Sequence, residues 1–283
     1  RANQHSHVSD PAGEAQREHP TIQCDFFFME PGKEGAVVAL LMVDVWSRYV
    51  AVAPLKQRNA QTVGRALVAF ILSVRDGTVE LAFDNEPVLV AGANFCKSVR
   101  AKKELTTHLC ANKVGDKART SISERSVQSV RGIQKTLLCH IEDELKVAIP
   151  DGHPVIQWAA MHAAWLYNRY QVHATMKVTP FQSLRGRPRH GKLASFGQTV
   201  FGLGPKATKF KPASKKGCWL GKDTSGMDLI CTDGQTIIRT KAVRKINNQR
   251  DAELIIGMTD GPMDFFGHRQ VKAKQKLIAL ASP

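Results

Sequence analysis

The sequence predicts a two-part α/β protein, a mixed sheet flanked by helices followed by a small basic β module. Three observations carry this. Between residues 21 and 54, three strand-like runs follow one another. From 59 to 170, helical and strand-like runs alternate and then give way to helices alone. From 206 onward, short apolar runs are set among lysines and arginines.

Residues 1–20 are polar, hold His5, His7 and His19 without a cysteine pair, and read as a linker from an upstream domain. Thr21 to Met29 is the first strand-like run, with Asp25 inside it. Ala36 to Asp44 is apolar almost throughout, as a strand covered on both faces requires. Trp46 to Pro54 returns after a tight turn, so the three runs predict an antiparallel meander. Asn59 is placed to cap a helix that aligns Val63, Ala66, Leu67, Phe70, Ile71 and Val74, and Asp76-Gly77 ends it. Val79 to Phe83 is a fourth strand running into Asp84. Pro87 to about Lys103 reads as helix, and Glu104 to His108 as a fifth strand. Ala111 to Thr120 is a charged loop, and Ser121 to Val147 a long helix. Asp151 is placed to cap the next helix, with Pro154 in its first turn and a Trp- and Ala-rich body to Tyr170. The expected boundaries are a core at 21–190, a linker at 191–205, a basic β module at 206–250 and an unassigned tail at 251–283. Within the module, Asp233-Gly234 between two apolar runs is a hairpin signal.

The formal charge of +15 and a pI of about 9.7 call for a polyanionic partner. The excess is concentrated: residues 206–250 hold eleven Lys or Arg against three Asp. A basic membrane-surface protein would need an amphipathic basic helix or a lipidation signal, and the sequence shows neither. The six cysteines form no C-x-x-C pair and no framework rhythm, which suits a reducing compartment.

Three carboxylates stand in positions that ask for an explanation. Asp25 lies within an apolar strand and Asp84 at the end of another, where an unpaired charge is costly. Glu124 opens a long helix. A strand-end Asp and a helix-start Glu also have ordinary structural explanations, the latter through the helix dipole. The three converge only if the strands of Asp25 and Asp84 are neighbours and the Glu124 helix crosses their ends.

An ordered series of motifs resembles the integrases of retroviruses and long-terminal-repeat retrotransposons, the copia-like branch most closely. Ile22-Gln23-Cys24-Asp25 is similar to the family's first-strand motif, Val43-Asp44-Val45-Trp46-Ser47-Arg48-Tyr49 to its second, Phe83-Asp84-Asn85-Glu86 to its third, and Ser123-Glu124-Arg125 to its helix motif. Downstream, Tyr167-Asn168-Arg169, Thr179-Pro180-Phe181 and Phe196-Gly197 continue the succession. Cys218 to Asp223 and Ile238 to Arg244 resemble the family's C-terminal barrel. The resemblance spans about residues 20–246. It implies a ribonuclease-H-like core followed by an SH3-like barrel. It also implies an acidic triad of Asp25, Asp84 and Glu124 holding two Mg²⁺ or Mn²⁺ ions, with Asp44 structural. Here 39 residues separate Asp84 from Glu124, a few more than the family pattern, and a longer loop at 111–120 absorbs them at little entropic cost. The family's Asn-Gly before the glutamate is replaced by Ser121-Ile122.

The implied activity is 3′-end processing and strand transfer of element DNA into target DNA. Double-stranded DNA is then the partner, with no small-molecule substrate and no membrane. The same resemblance implies a homo-oligomer, release from a cytoplasmic polyprotein, and action in the nucleus. On the Glu124 helix, Gln128, Arg131 and Lys135 share the glutamate's face, and the first two match family positions that touch the element's own end. Lys113, Lys117 and Arg119 in the preceding loop are further candidate phosphate contacts. So are Lys209, Lys211, Lys215, Lys216, Arg239, Lys241, Arg244 and Lys245 in the module. The competing readings are a DNA-binding relative without catalysis, a ribonuclease-H-type nuclease, which would want a fourth acid, and a cut-and-paste transposase, which lacks the downstream motifs.

Overall fold

The computed structural model describes residues 18–29, 37–112, 121–188, 191, 193–203, 214–259 and 261. His5, His7, Lys113, Lys117, Arg119, Lys209 and Lys211 lie outside them.

The first sheet contains β1 (Thr21–Phe28), β2 (Val38–Asp44) and β3 (Tyr49–Pro54), which form the expected antiparallel meander. Helix α1 (Ala60–Val74) leads to β4 (Val79–Phe83), and α2 (Pro87–Ala101) leads to β5 (Thr107–Ala111). Asn59 caps α1 as expected, its side chain accepting the Thr62 N–H at 2.9 Å. Both later strands run parallel to β1, which is why each arrives through a helical crossover. The strand order β3-β2-β1-β4-β5 is that of a ribonuclease-H-like core.

Side-chain alternation divides this sheet into two faces. Ile22, Cys24, Phe26, Leu40, Met42, Leu81 and Phe83 pack under α1 and α2. Phe27, Leu41, Val43 and Val52 pack under α3 (Ser121–Leu145) and α4 (Pro154–Tyr170). A short α5 (Pro180–Arg185) follows, capped by Thr179.

Two local expectations are corrected. The fifth strand begins at Thr107 rather than Glu104, because Glu104 takes a left-handed conformation (φ 59°) in the turn that closes α2. There the Glu104 N–H is held by the Ala101 carbonyl and the Leu105 N–H by that of Arg100. The cap of α4 is His153, not Asp151: the His153 Nδ1 accepts the Val155 N–H at 3.2 Å, and Asp151 falls in the preceding turn.

The expected linker at 191–205 also needs correction, since it contains a strand. β6 (Gln198–Leu203) sits near the middle of a second, antiparallel sheet with β7 (Ser214–Lys222), β8 (Asp228–Cys231), β9 (Ile237–Thr240) and β10 (Val243–Arg250). Its order is β10-β6-β7-β8-β9. The expected basic β module is thus a five-stranded antiparallel sheet, and no pairing joins β9 to β10 among the described residues. Asp233-Gly234 turns β8 into β9 as its sequence indicates, with Gly234 at φ 78°. The first residues of the expected tail form α6 (Ala252–Ile256).

The second sheet does not stand apart. Cys218, Leu220, Leu229 and Cys231 share one apolar cluster with Val127, Trp158 and Ala159 of the core helices. His162 of α4 stacks on Phe196 at 5.5 Å and meets the Trp219 ring edge-on at 5.0 Å, and its burial pushes its pKa down to about 3. Gly221 (φ 115°) is required at this contact, because a Cβ would lie 2.6 Å from the His162 ring nitrogen. Arg250 pairs with Glu144 of α3 and donates to the Phe196 carbonyl at 2.9 Å.

Asp44 is fully buried and purely structural. It accepts the Arg75 Nε and Nη2 at 3.0 and 2.6 Å and the Ser47 N–H at 3.0 Å, closing the turn into Arg48. Asp44→Ala leaves the Arg75 guanidinium without its anion and is expected to cost about 3 kcal/mol in urea denaturation. A loss no larger than that of a surface substitution would contradict this role.

Candidate active site

The parallel register of β1 and β4 sets the site. Thr21 lies beside Glu80, Ile22 beside Leu81 and Gln23 beside Ala82. That register, continued two residues onward, would set Asp25 opposite Asp84, and the Asp84 charge is felt at Asp25. Both fall on the face beneath α3: Phe27, two residues after Asp25, packs in the α3 and α4 cluster, while Phe83, next to Asp84, packs on the opposite face.

The third acid arrives on α3. The backbone N–H of Ser123 donates to the Gln23 Oε1 at 2.9 Å, a bond between residues one hundred apart, with both partners buried. This ties the first turn of α3 to β1 two residues from Asp25. Glu124 is the next residue and is exposed, as is Asp84, whereas Asp25 is half-buried.

Electrostatics report the same proximity. The Asp25 carboxyl is pushed up to about 6, first by burial and further by the negative charges of Asp84 and Glu124. The Phe26 N–H, donating to its Oδ1 at 2.7 Å, opposes the rise. Asp84 is held from the other side: the Asn112 Nδ2 donates to its Oδ1 at 2.6 Å. Asn112 is in turn fixed by its N–H on the Phe83 carbonyl at 2.9 Å and by the Asn85 amide on its own carbonyl.

Among the described residues, no lysine or arginine pairs with any of the three acids. Three carboxylates with no cation partner form a donor set that suits an oxygen-preferring ion such as Mg²⁺. Their side chains are not drawn together around one: among the described residues, no three His, Cys, Asp or Glu side chains gather closely enough to hold a metal ion. Like charges without a counterion repel, and Asp84 is instead held by the Asn112 amide. Other acids do not compete for the role. Glu86 pairs with Arg58, and Glu104 precedes β5 at the end of the sheet away from Asp84. His108 stands in register with Glu80 and stacks on His19, again at that far end.

The candidate DNA contacts separate into two groups. Gln128 and Lys135 are exposed on the Glu124 face of α3, and Lys215, Lys241, Arg244 and Lys245 are exposed on the second sheet. Three others are engaged within the protein. The Arg131 Nη2 donates to the Phe28 carbonyl at 3.2 Å with its guanidinium over the Phe27 ring. Lys216 pairs with Asp251 at 2.8 Å, and Arg239 pairs with Asp223.

Sequence reasoning passed over Gln23, Asn112 and Phe201. A glutamine in a buried apolar strand was a usable signal for the first. Asn112 was hidden because the expected β5 stopped at His108 and residues 111–120 read as loop, and Phe201 by the unread strand β6. Phe201 lies between Arg244 and Lys216 across three strands, an aromatic ring interleaved with cations on an exposed face.

No family model matches this sequence. No curated protein matches it either. Among solved structures, the chain is similar to the HTLV-2 integrase catalytic core domain in complex with magnesium, in a trimeric form, at 16% identity and a TM-score of 0.43, covering 58% of this chain and 95% of that one. It is similar to a chain of the simian T-cell lymphotropic virus intasome in complex with a PP2A regulatory subunit at 17% and 0.42, covering 81% and 79%. It is also similar to the BIV integrase catalytic core at 13% and 0.42, covering 58% and 92%.

The raised Asp25 pKa has a consequence for stability without metal. Between 3.8 and about 6, the folded chain retains a proton that the unfolded chain has released. The contribution of this group is therefore greatest below pH 3.8 and declines as pH rises to about 6. Asp25→Asn removes that decline, so in metal-free buffer it is expected to raise Tm at pH 7 relative to wild type, with the gain shrinking towards pH 4. A variant that melts lower than wild type at pH 7 would show that the carboxylate is stabilised rather than strained.

Proposed function

We propose that this chain is the integrase of a retrovirus-like long-terminal-repeat retrotransposon, a metal-dependent polynucleotidyl transferase that trims and joins element DNA ends to target DNA. The observation that supports the reading is that acids from three separate elements lie near enough for the charges of Asp84 and Glu124 to raise the Asp25 pKa. The β1–β4 register, continued onward, would set Asp25 opposite Asp84, and Glu124 is brought to them by the Gln23–Ser123 bond.

Asp25, Asp84 and Glu124 are the residues that would hold two Mg²⁺ or Mn²⁺ ions. Such ions, when bound, activate the attacking oxygen and stabilise the leaving oxygen of a phosphodiester. The chain's own residues prepare this. At neutral pH, Asp25 is ionised despite its raised pKa, so the cluster is anionic and attracts cations. Asn112 occupies one oxygen of Asp84 and leaves the other for a ligand. Exposed Gln128 and Lys135 extend along α3 from Glu124, where they can align the DNA strand that supplies the scissile bond or the 3′ hydroxyl. Lys215, Lys241, Arg244 and Lys245, with Phe201 between strands, offer a sequence-independent grip on the duplex. The partner is double-stranded DNA, and the working form is a homo-oligomer that spans two ends. The site of action is the nucleus, after release from a cytoplasmic polyprotein.

A second reading has one observation in its favour. Ser121-Ile122 replaces the Asn-Gly that the resemblance leads one to expect before the glutamate, as would suit a relative that binds DNA without catalysis. A ribonuclease-H-type nuclease draws no such support, because the polar side chains flanking the acids, Gln23 and Asn112, are amides rather than a fourth acid.

A strand-transfer assay on a terminal-repeat oligonucleotide with Mg²⁺ or Mn²⁺ separates the first two. The wild-type chain is expected to join ends and Glu124→Gln to lose joining, while both bind DNA. Equal activity in the two would remove Glu124 from the triad, and DNA binding without joining in either would favour the second reading. For the DNA grip, the combined change of Lys241, Arg244 and Lys245 to Ala should flatten the dependence of log affinity on log salt by about 0.9 for each phosphate no longer neutralised. An unchanged slope would exclude these three cations from the DNA grip.

A further inference from the structure

We propose that Gln23 is a positioning residue for the reaction assigned above, setting Glu124 against Asp25 through the Ser123 backbone. The inference rests on that functional reading and adds a residue to it.

The argument begins with an anomaly of burial. β1 is buried along most of its length, and Gln23 is 1% exposed within it. A buried amide is costly unless bonded, and its Oε1 accepts the N–H of Ser123, itself fully buried. That N–H belongs to the first turn of α3, one of the donors that a helix cannot satisfy from within. The bond therefore acts as a helix cap, delivered from a strand one hundred residues away rather than from the residues before the helix.

Its position makes it more than a cap. Gln23 and Asp25 are two residues apart on one strand and so share a face, and Ser123 and Glu124 are adjacent. The chain from one acid to the other is thus Asp25, Gln23, Ser123, Glu124, with a single hydrogen bond at its centre. The neighbour across from Gln23 on β4 is Ala82, which leaves the side chain room to reach the helix. Neutrality matters as well. A carboxylate could accept the same N–H, but it would add a negative charge beside a cluster that already raises the Asp25 pKa.

Gln23→Met keeps length and apolarity but has no acceptor oxygen, whereas Gln23→Glu keeps the acceptor. Gln23→Asn is polar but one methylene short, and provides the same comparison as Met if the Met variant does not fold. Three readouts on the full chain are needed: melting temperature, Mn²⁺ affinity from the paramagnetic resonance signal of free Mn²⁺, and strand transfer. Gln23→Met is expected to weaken Mn²⁺ binding about tenfold, the scale of one hydrogen bond. It is also expected to lower kcat with the half-saturating DNA concentration unchanged. Gln23→Glu should hold Mn²⁺ at least as tightly as wild type.

A lower melting temperature with unchanged Mn²⁺ affinity and kcat would make Gln23 merely structural and overturn the proposal, as would a Glu variant as weak as the Met variant. If wild type binds Mn²⁺ and the Met variant binds it less, while neither joins DNA, the positioning role stands and the functional reading fails. A wild-type chain that binds no Mn²⁺ overturns both.

Discussion

The parallel pairing of β1 with β4 is the constraint on which the rest depends. Parallel strands cannot be joined by a hairpin, so α1 must cross one face of the sheet, and the same crossover logic places α2 before β5. The pairing also sets the middle of β1 beside the carboxyl end of β4. Asp84 follows the last residue of β4 and is exposed, whereas Asp25 is still paired to β2 at Leu41 and is half-buried. A one-residue slip would move Asp84 to the opposite face, among the apolar residues beneath α1 and α2. The burial of Leu81 and Phe83 on that face prevents the slip. Hydrophobic burial thus holds the two acids together against their own repulsion.

The second sheet depends on the same body. It is attached through α3 and α4, the helices that cover the acid-bearing face. Arg250 reaches Glu144 near the end of α3, and His162 of α4 sits among Phe196, Trp165 and Trp219. The helix that carries Glu124 at its first turn therefore carries a contact to β10 at its last. A change in the seating of α3 is felt at both ends, which links the exposed cations of β10 to the acidic site without any intervening flexible segment among those contacts.

Much of this was legible in the sequence, for physical reasons that differ from element to element. The meander, α1 and β4 were readable because apolar runs of strand length and a periodic helix are direct consequences of burial. Asp25 and Asp84 stood out because charge is rare where burial is high. Glu124 was not separable from an ordinary helix-start acid by the residue itself, since the helix dipole favours both. What the sequence concealed was the effect of backbone turns and long-range partners. β5 was misread because the residues around Glu104 satisfy their N–H groups on α2. β6 was taken for linker because its outward Phe201 and Leu203 break the expected alternation of apolar-in and polar-out. The cap of α4 is a histidine, a choice that composition rules rank low. The Gln23–Ser123 bond spans one hundred residues, beyond the reach of any local pattern.

The arrangement of charge in the molecule follows a single logic. The chain is strongly basic overall, yet among the described residues none of its cations is paired with the three acids. The groups that touch the acids or anchor them are neutral: a backbone N–H on Asp25, the Asn112 amide on Asp84, and the Gln23 amide beneath Glu124. A lysine or arginine in any of these places would neutralise the cluster and abolish its attraction for a divalent ion. A further acid would deepen the repulsion that already raises Asp25. Neutral amides fix geometry while leaving the negative potential intact, and the basic residues are kept where a polyanion can meet them. Such a molecule has its strongest unmet electrostatic demand at the acids and its strongest surplus on the second sheet. A divalent ion at the first and a phosphate backbone at the second would answer both, which is the charge logic behind the proposed nucleic-acid substrate.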